Sequence, residues 1–304
     1  TAYEIRLSLV GSEMCIRDSF YPSTPILLSK IVQKGDIVFL ENLRKYPQEK
    51  TNDESFARHL ASFADIYVNE AFSAAHRKHA SIIGIPKFLP HYAGFVFEDE
   101  VHELSKAFQP TRPFLFVLGG AKFDTKIPLV EKFFRLADKI FIGGALANDF
   151  FKAKGFTTGR SLLSPSNTDV TLFMTEKLIL PIDVIVKNEK GIMVKSPEAI
   201  ENDDYIVDVG PLSMDELCAG IHRSSFVLWN GPLGNFEIGF KDATLKIAEC
   251  IASSNAVSIV GGGDTIASIA ELNLFDKFSF ISTGGGAMLD FLANETLPGI
   301  EVLR

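Results

Sequence analysis

Four short glycine clusters offer backbone positions that could contact a phosphorylated ligand. Each follows an apolar, strand-like run and precedes a helical pattern; the four strings are LFVLGGAK, KIFIGGAL, VSIVGGGD and FISTGGGA. Glycine lets the backbone approach a ligand closely, and the unpaired N–H groups that open a helix attract anions. Tight turns without a ligand would also use glycine, but four such turns favour a shared site. We therefore predict an anion site at the carboxyl ends of these strands.

Two lysines and an aspartate beside these clusters could supply the charges of such a site. Lys122 and Lys126 follow the first cluster and place two ammonium groups near the expected phosphate. Asp264 follows the third cluster at a helix start, where it could cap the helix or hold Mg²⁺ beside phosphates. Thr265 adds a hydroxyl group. These residue types suit phosphoryl chemistry, and both roles of Asp264 stay open at this point.

Other polar groups also follow predicted strands. Asn230 ends an apolar run, and Glu237 comes seven residues later in the same loop. Nearer the front of the chain, Arg44 follows a strand, and the run His76-Arg77-Lys78-His79 brings further cations. Arginine there suits phosphate or carboxylate, because its planar fork donates two parallel hydrogen bonds. A metal between the two histidines is disfavoured, since neighbouring cations would repel it.

The elements that would position these groups alternate between strands and helices. The strand candidates are mostly β-branched or Phe-rich without polar alternation, which is typical of parallel strands buried on both faces; they are residues 36–40, 65–69, 114–118, 139–142, 182–186, 205–209, 225–229, 256–260 and 277–282. Helices are predicted over 124–137, with Pro128 in the first turn, and over 95–108, with a hinge at 109–113. This alternation predicts an open α/β sheet.

Length and composition limit the class of protein. The 304 residues correspond to about two domains, and 46% hydrophobic with 22% charged residues is the balance of a globular protein. A net charge of −8 without any basic run argues against nucleic acid, and the apolar runs are too short for a membrane span. Three scattered cysteines, Cys15, Cys218 and Cys250, suit a reducing cytoplasm better than a disulfide-stapled fold.

Two segments carry no functional inference. Residues 155–161 look like a P-loop, but the glycine spacing is one residue short and arginine replaces lysine, so an ordinary loop is expected. Residues 1–19 show no helical or strand period and resemble translated sequencing-adapter sequence, which predicts a non-native segment.

No strand is followed by the glycine fingerprint of dinucleotide-binding proteins, which argues against a nicotinamide-dependent dehydrogenase.

Taken together, the motifs resemble those of the phosphoglycerate kinase family. The matching strings run in the family's order from Leu40 to Glu301; they are LENLRKYP, VNEAFSAAHRKHAS, LGGAKFDTKI, IGGALANDF, VLWNGPLGNFE, IVGGGDT and ISTGGGAMLDFL followed by LPGIE. The resemblance implies an α/β fold of two Rossmann-like, parallel-sheet domains. It also implies phosphoryl transfer in glycolysis from 1,3-bisphosphoglycerate to MgADP, giving 3-phosphoglycerate and MgATP. A non-catalytic nucleotide-binding module is the alternative.

The resemblance also implies roles for individual residues. Arg44 and Arg77 would contact the phosphoglycerate with His76 nearby, and Lys122 would follow the transferred phosphoryl group, which makes Lys122 and Arg77 the catalytic candidates. Asp264 would hold Mg²⁺. The residues implied to bind ADP or ATP are Gly120, Ala121, Lys126, Gly143, Gly144, Asn230, Pro232, Glu237, Gly262, Gly263, Asp264 and Thr265. Among these, Gly120, Ala121, Gly143 and Gly144 would frame the adenine, and Glu237 would bind the ribose hydroxyls. Lys126 would bind a phosphate, and residues 262–265 would hold phosphates and Mg²⁺.

One departure from the family limits the expected activity. The family begins with a strand carrying an Asp-x-Asn pair, then an arginine and a His-x-x-Arg motif, and none of these occurs here. We therefore expect an N-terminally truncated, monomeric, cytoplasmic kinase that binds nucleotide but turns over poorly. The expected divisions are a non-native segment (1–19), a partial phosphoglycerate-binding domain (20–94), an interdomain helix and hinge (95–110), a nucleotide-binding domain (111–286) and a returning segment (287–304).

Overall fold

A computed structural model describes residues 42–121, 126–164 and 169–304. The predicted strand at 36–40, the predicted catalytic Lys122 and Cys15 lie outside these ranges. The described chain divides into two compact units. The first contains residues 42–70, 77–94 and 298–304, and the second contains residues 71–76 and 95–297.

The secondary-structure elements alternate along the chain. The described α-helices are α1 (Pro47–Lys50), α2 (Glu54–Ala61), α3 (Phe95–Ser105), α4 (Ile127–Leu136), α5 (Leu146–Ala153), α6 (Pro211–His222), α7 (Asp242–Ala252), α8 (Gly263–Glu271), α9 (Gly286–Asn294) and α10 (Pro298–Glu301). The described strands are β1 (Tyr67–Asn69), β2 (His91–Ala93), β3 (Phe114–Leu118), β4 (Lys139–Ile142), β5 (Leu178–Ile179), β6 (Val184–Asn188), β7 (Gly191–Lys195), β8 (Tyr205–Val209), β9 (Phe226–Asn230), β10 (Val257–Gly261) and β11 (Phe280–Ser282). None of these helices combines the length and apolar character needed to cross a membrane.

In the first unit, β1 and β2 pair in parallel. A buried carboxylate organises the surrounding loops, because Glu49 at 2% exposure accepts hydrogen bonds from the backbone N–H and the hydroxyl of Ser81. The Tyr67 hydroxyl donates to the carbonyl oxygen of the same serine at 3.0 Å. Burial, reinforced by the Glu49 charge, raises the pKa of Tyr67 to about 12.

The second unit is built on a six-stranded parallel sheet in the order β11-β10-β9-β3-β4-β5. Every residue of β3 and β9 is buried, as expected for central strands covered on both faces. The prediction of an open α/β sheet is confirmed, and β3 and β4 have the predicted bounds. Because β10, β9, β3 and β4 are consecutive neighbours, their carboxyl ends lie side by side.

One part of the strand prediction is wrong. The runs at 182–186 and 205–209 were expected to be buried parallel strands, but β6 pairs antiparallel with both β7 and β8 in a separate three-stranded sheet. Strand β7 was not predicted. Its residues are largely exposed or half-buried, so it lacks the continuous apolar signal of a central strand.

The helix predictions are largely confirmed. Helix α3 starts at Phe95 and continues as a 3₁₀ turn to Phe108, the predicted end, and buries Phe97 and Leu104. Helix α4 begins at Ile127, three residues later than predicted, with Pro128 in its first turn. Proline is tolerated there, since the first backbone N–H groups of a helix have no partner within it.

The cysteine prediction is contradicted. Cys218 on α6 and Cys250 on α7 form a disulfide, with their Cα atoms 5.5 Å apart. Both cysteines are buried in the apolar cluster that these two helices form against the sheet. A separation of 32 residues gives no local sequence signal for the pairing, which depends on the two helices packing against each other.

Candidate functional site

Glycine turns from two neighbouring strands touch each other at the carboxyl edge of the parallel sheet. Gly120 after β3 and Gly144 after β4 have φ values of +94° and +62°, which glycine adopts without strain. A Cβ atom on Gly144 would lie 2.7 Å from the backbone nitrogen of Gly120. The Gly120 N–H donates to the carbonyl oxygen of Pro232, in the turn after β9, at 2.8 Å. Three loops are therefore joined through their backbones, with no room for a side chain at Gly144.

A cavity of about 330 Å³ opens beside these turns. Its wall includes six of the predicted nucleotide-binding residues: Gly120, Ala121, Gly144, Pro232, Glu237 and Asp264. Apolar side chains form much of the remaining wall, namely Phe151, Leu162, Pro181, Val184, Val207, Val209 and Leu233. Such a cavity can hold a flat apolar ring, while the glycine turns and Asp264 offer polar contacts.

Lys126 is buried directly behind the glycine turns. Its side chain is 7% exposed, and its ammonium group donates a hydrogen bond to the carbonyl oxygen of Gly119 at 2.6 Å. Burial lowers the pKa of Lys126 to about 8, although the Asp264 carboxylate acts in the opposite direction. A desolvated cation at this edge can attract an anionic ligand strongly, because little water screens it.

The side chains of Asn230 and Thr265 form hydrogen bonds that hold the turns after β9 and β10 in place. The Asn230 amide donates to the carbonyl oxygen of Gly261 at 2.9 Å, and the Thr265 hydroxyl accepts from the Gly231 N–H at 3.1 Å. Both side chains are buried, at 4% and 0% exposure. Neither lines the cavity, and their observed hydrogen bonds tie the end of β9 to the end of β10.

The remaining predicted glycines also lie outside the cavity wall. Gly143 packs against Leu233, and Gly262, with φ +110°, lies next to the Thr265 hydroxyl. Gly263, the first residue of α8, borders open space, so the start of this helix is accessible to a ligand.

Asp264 meets the requirements of a Mg²⁺ ligand. Its side chain is exposed in the first turn of α8 and lines the cavity near Lys126. No cluster of three or more His, Cys, Asp or Glu side chains that could hold a metal occurs among residues 42–121, 126–164 and 169–304. One carboxylate is nevertheless enough for Mg²⁺, which commonly takes its other ligands from substrate phosphates and water.

Asp208 in β8 is a buried carboxylate of the cavity wall that sequence analysis missed. It accepts hydrogen bonds from the backbone N–H groups of Val209 at 2.9 Å and of Ala243, in the first turn of α7, at 3.2 Å. Burial raises its pKa to about 6, against the effect of these hydrogen bonds. An acidic residue inside the otherwise apolar run YIVDV was the available signal.

Two predicted substrate-binding arginines belong to the first unit. Arg44 and Arg77 are both exposed, and both act electrostatically on His79. Burial is the main cause that lowers the pKa of His79; Glu49 opposes this change, and the two arginines add to it. The arginines therefore lie in one basic neighbourhood where water can reach them, as binding of a phosphate or carboxylate requires.

The third predicted substrate residue, His76, belongs to the second unit. A Cβ on Gly286, in the fourth glycine cluster, would lie 3.7 Å from its Nε2 atom. This cluster does not line the cavity. Its turn is instead held by Glu100 of α3, which is 3% exposed and accepts hydrogen bonds from the Ser282 hydroxyl at 2.6 Å and the Thr283 N–H at 2.8 Å.

Comparisons with known proteins identify similar sequences and folds. Residues 14–295 match the model of the family described as phosphoglycerate kinase. The chain is 41% identical over 287 residues to the phosphoglycerate kinase of Dictyoglomus turgidum, covering 90% of this chain and 72% of that protein. It is 42% identical over 290 residues to that of Chlorobium luteolum, covering 90% and 73%. Phosphoglycerate kinase from Coxiella burnetii has a similar structure, with a TM-score of 0.80 and 37% identity, covering 88% of this chain and 73% of that one.

Proposed function

Because this chain belongs to the phosphoglycerate kinase family of phosphotransferases, we propose that it binds MgADP or MgATP in the cavity beside β3 and β4. We propose further that 1,3-bisphosphoglycerate transfers a phosphoryl group to MgADP, giving 3-phosphoglycerate and MgATP, and that the transfer is reversible. The fold class expected from the sequence, the two-domain α/β fold of this family, is confirmed by the structural likeness. The observation that carries the nucleotide proposal is the cavity itself, which gathers Gly120, Ala121, Gly144, Pro232, Glu237 and Asp264.

The chemistry of this wall suits each part of a nucleotide. The apolar side chains suit a base, the exposed Glu237 carboxylate suits the ribose hydroxyls, and the open start of α8 suits the phosphates. Asp264 would hold Mg²⁺, which neutralises phosphate charge when bound. Lys126 would exchange its hydrogen bond to Gly119 for one to a phosphate oxygen. Asn230 and Thr265 support this proposal by holding the turns in place.

Phosphoryl transfer depends mainly on positioning and on neutralising charge. We propose that Arg44 and Arg77 bind the carboxylate and phosphate of phosphoglycerate, with His76 as a further contact. Lys122 is proposed to follow the transferred group. The sequence has no counterpart of the family's Asp-x-Asn and His-x-x-Arg motifs, so turnover by this 304-residue chain is proposed to be weak.

We also propose that the protein is a monomer located in the cytoplasm. A reducing cytoplasm would keep Cys218 and Cys250 as thiols, whereas the structure joins them in a disulfide. Counting free thiols in the isolated protein therefore also bears on the proposed compartment.

Nucleotide binding can be followed through Trp229, the single tryptophan of the chain. Its indole N–H donates to the carbonyl oxygen of Gly231, next to Pro232 in the cavity wall, at 2.9 Å. We expect MgADP to change its fluorescence in a saturable way, with affinity strongly reduced in Lys126→Met. Lys246→Met, a substitution of an exposed lysine on α7, is the matched control. A folded protein that gives no response to MgADP would refute the proposal.

A further inference from the structure

The two arginines proposed to bind phosphoglycerate are not held by contacts of their own side chains. Arg44 lies in the 3₁₀ turn Leu43–Lys45, and Arg77 follows His76 in an irregular part of the first unit. Both are exposed, and neither guanidinium group forms a hydrogen bond or an ion pair with the residues that the structure describes. The distance between the two groups therefore depends on the backbone segments that carry them.

The side chain of Glu49 links these two segments. Glu49 lies in α1, five residues after Arg44, and accepts hydrogen bonds from the Ser81 N–H at 2.9 Å and from the Ser81 hydroxyl at 2.5 Å. Ser81 belongs to the helical turn Ala80–Gly84 and lies four residues after Arg77. The first N–H groups of such a turn have no partner within it, so the Glu49 carboxylate caps the turn from a distant part of the chain.

Every polar group of Ser81 has a partner in this part of the first unit. Besides its two hydrogen bonds to Glu49, its carbonyl oxygen accepts one from the Tyr67 hydroxyl at 3.0 Å. Glu49 is 2% exposed, so water has little access to its hydrogen bonds. Hydrogen bonds to a carboxylate are stronger than those between neutral groups. The separation between α1 and the turn Ala80–Gly84 is therefore closely determined.

We propose that Glu49 is a positioning residue for the phosphoglycerate site, because it sets the spacing at which Arg44 and Arg77 can bind one ligand together. Its charge by itself works against an anion: the carboxylate lies 3.6 Å from His79 Nδ1, in the same basic neighbourhood as the two arginines. Any benefit of Glu49 to phosphoglycerate binding must therefore come from geometry. This inference rests on the phosphoglycerate site proposed above.

The test measures 3-phosphoglycerate binding by calorimetric titration of the full chain. Glu49→Ala is expected to weaken binding at least about tenfold, which corresponds to the loss of one charge-assisted contact. Glu49→Gln keeps an oxygen that accepts from the Ser81 N–H and gains an NH₂ group that can donate to the Ser81 hydroxyl. It should therefore bind 3-phosphoglycerate as tightly as the wild type or more tightly. If Glu49 acted through its charge alone, both variants would bind more tightly than the wild type, and that result would overturn the proposal.

Glu54→Ala is the matched control, because it removes an exposed glutamate from the same unit and should leave 3-phosphoglycerate affinity unchanged. MgADP affinity should be unchanged in every variant, since the nucleotide cavity belongs to the second unit. Equal losses of both ligands in Glu49→Ala would show a general loss of structure and contradict a positioning role.

Glu49→Asp keeps the test decisive if Glu49→Ala does not fold. It retains the charge but shortens the side chain by one methylene group, so it should weaken 3-phosphoglycerate binding about tenfold while Glu49→Gln does not. Equal affinity of Glu49→Asp and the wild type would refute the role of Glu49 alone. A folded wild-type chain that binds MgADP but no 3-phosphoglycerate would refute the phosphoglycerate site, and this inference with it.

Discussion

The Lys126 ammonium group donates a hydrogen bond to the carbonyl oxygen of Gly119 across the turn that follows β3. The bond measures 2.6 Å, and Lys126 is only 7% exposed. The ammonium group and the turn are therefore buried together. A lysine in this position is desolvated before any ligand arrives. Its charge state near neutral pH consequently becomes part of ligand binding.

We expect MgADP affinity to depend on pH above about 8. The free protein holds the pKa of Lys126 at about 8, and phosphate oxygens beside the ammonium would raise it. Binding above pH 8 therefore requires proton uptake, and affinity should fall by up to tenfold per pH unit until the pKa of the complex is reached. Titration calorimetry at pH 7, 8 and 9 in buffers of different ionisation enthalpy measures this uptake. Lys126→Met should remove the slope, and the same slope in that variant would contradict the assignment.

Asp208 should make stability depend on pH between about 4 and 6. Its pKa is raised from 3.8 to about 6 in the folded chain, so the folded state binds the proton more tightly than the unfolded state does. Its contribution to stability is present below pH 4 and is lost as the pH rises through 6, on the order of 3 kcal/mol in total. Asp208→Asn removes the titrating group and therefore this loss. The unfolding free energy of the variant minus that of the wild type should increase as the pH rises from about 4 to about 6.

Urea unfolding at pH 4.5, 5.5 and 7 checks this prediction. Asp215→Asn, a substitution of an exposed aspartate on α6, serves as the control and should follow the wild type. A constant difference between Asp208→Asn and wild type at all three pH values would contradict the role of burial.

Glu100 should be one of the more costly carboxylates to remove. Glu100→Ala leaves the Ser282 hydroxyl and the Thr283 N–H without their acceptor in a buried place, which should cost about 2–4 kcal/mol of unfolding free energy. Glu100→Gln keeps an acceptor oxygen and should cost less. Glu103→Ala on the same helix removes a partly exposed ion pair with Lys106 and should cost under about 1 kcal/mol. Chemical denaturation of the three variants gives the ranking, and equal losses at positions 100 and 103 would contradict it.

The Cys218–Cys250 disulfide should stabilise the second unit. Closing a loop between residues 32 apart typically contributes about 2–4 kcal/mol, so dithiothreitol should lower the melting temperature. A variant with both cysteines replaced by alanine should melt without sensitivity to reductant. Thiol titration of the denatured, unreduced chain should find Cys15 alone, against three thiols after reduction. Three thiols before reduction would show that the bond does not form.

The cost of crowding between the glycine turns can be measured separately from the cost of placing alanine at a positive φ. Gly144 and Gly155 both have positive φ values, +62° and +85°, but a Cβ on Gly155 would meet nothing within 4 Å. Gly155→Ala should therefore cost only about 1 kcal/mol, the strain of a left-handed alanine. Gly144→Ala should cost more and should also weaken MgADP binding, because its Cβ would press on Gly120. Thermal melts with and without MgADP measure both effects, and equal behaviour of the two variants would contradict the prediction.

Local patterns determined much of this fold before any tertiary contact was considered. The apolar runs of β3, β4 and β9, the helical stripe of α3 and the glycine turns all depend on neighbours within a few residues. Those turns also located the candidate site, since the carboxyl ends of parallel strands meet at one edge of a sheet.

The tertiary structure alone decided which distant residues meet. The pairing of β6 with β7 and β8, the Cys218–Cys250 bond, the contact of Glu100 with Ser282 and the buried environment of Asp208 all join residues from separate elements. Asn148 shows the same limit, because its amide nitrogen donates to the carbonyl oxygen of Leu162, fourteen residues later in the chain. Packing decides these relationships because burial and hydrogen-bond satisfaction depend on the whole assembled core, whereas periodicity reports only one element at a time.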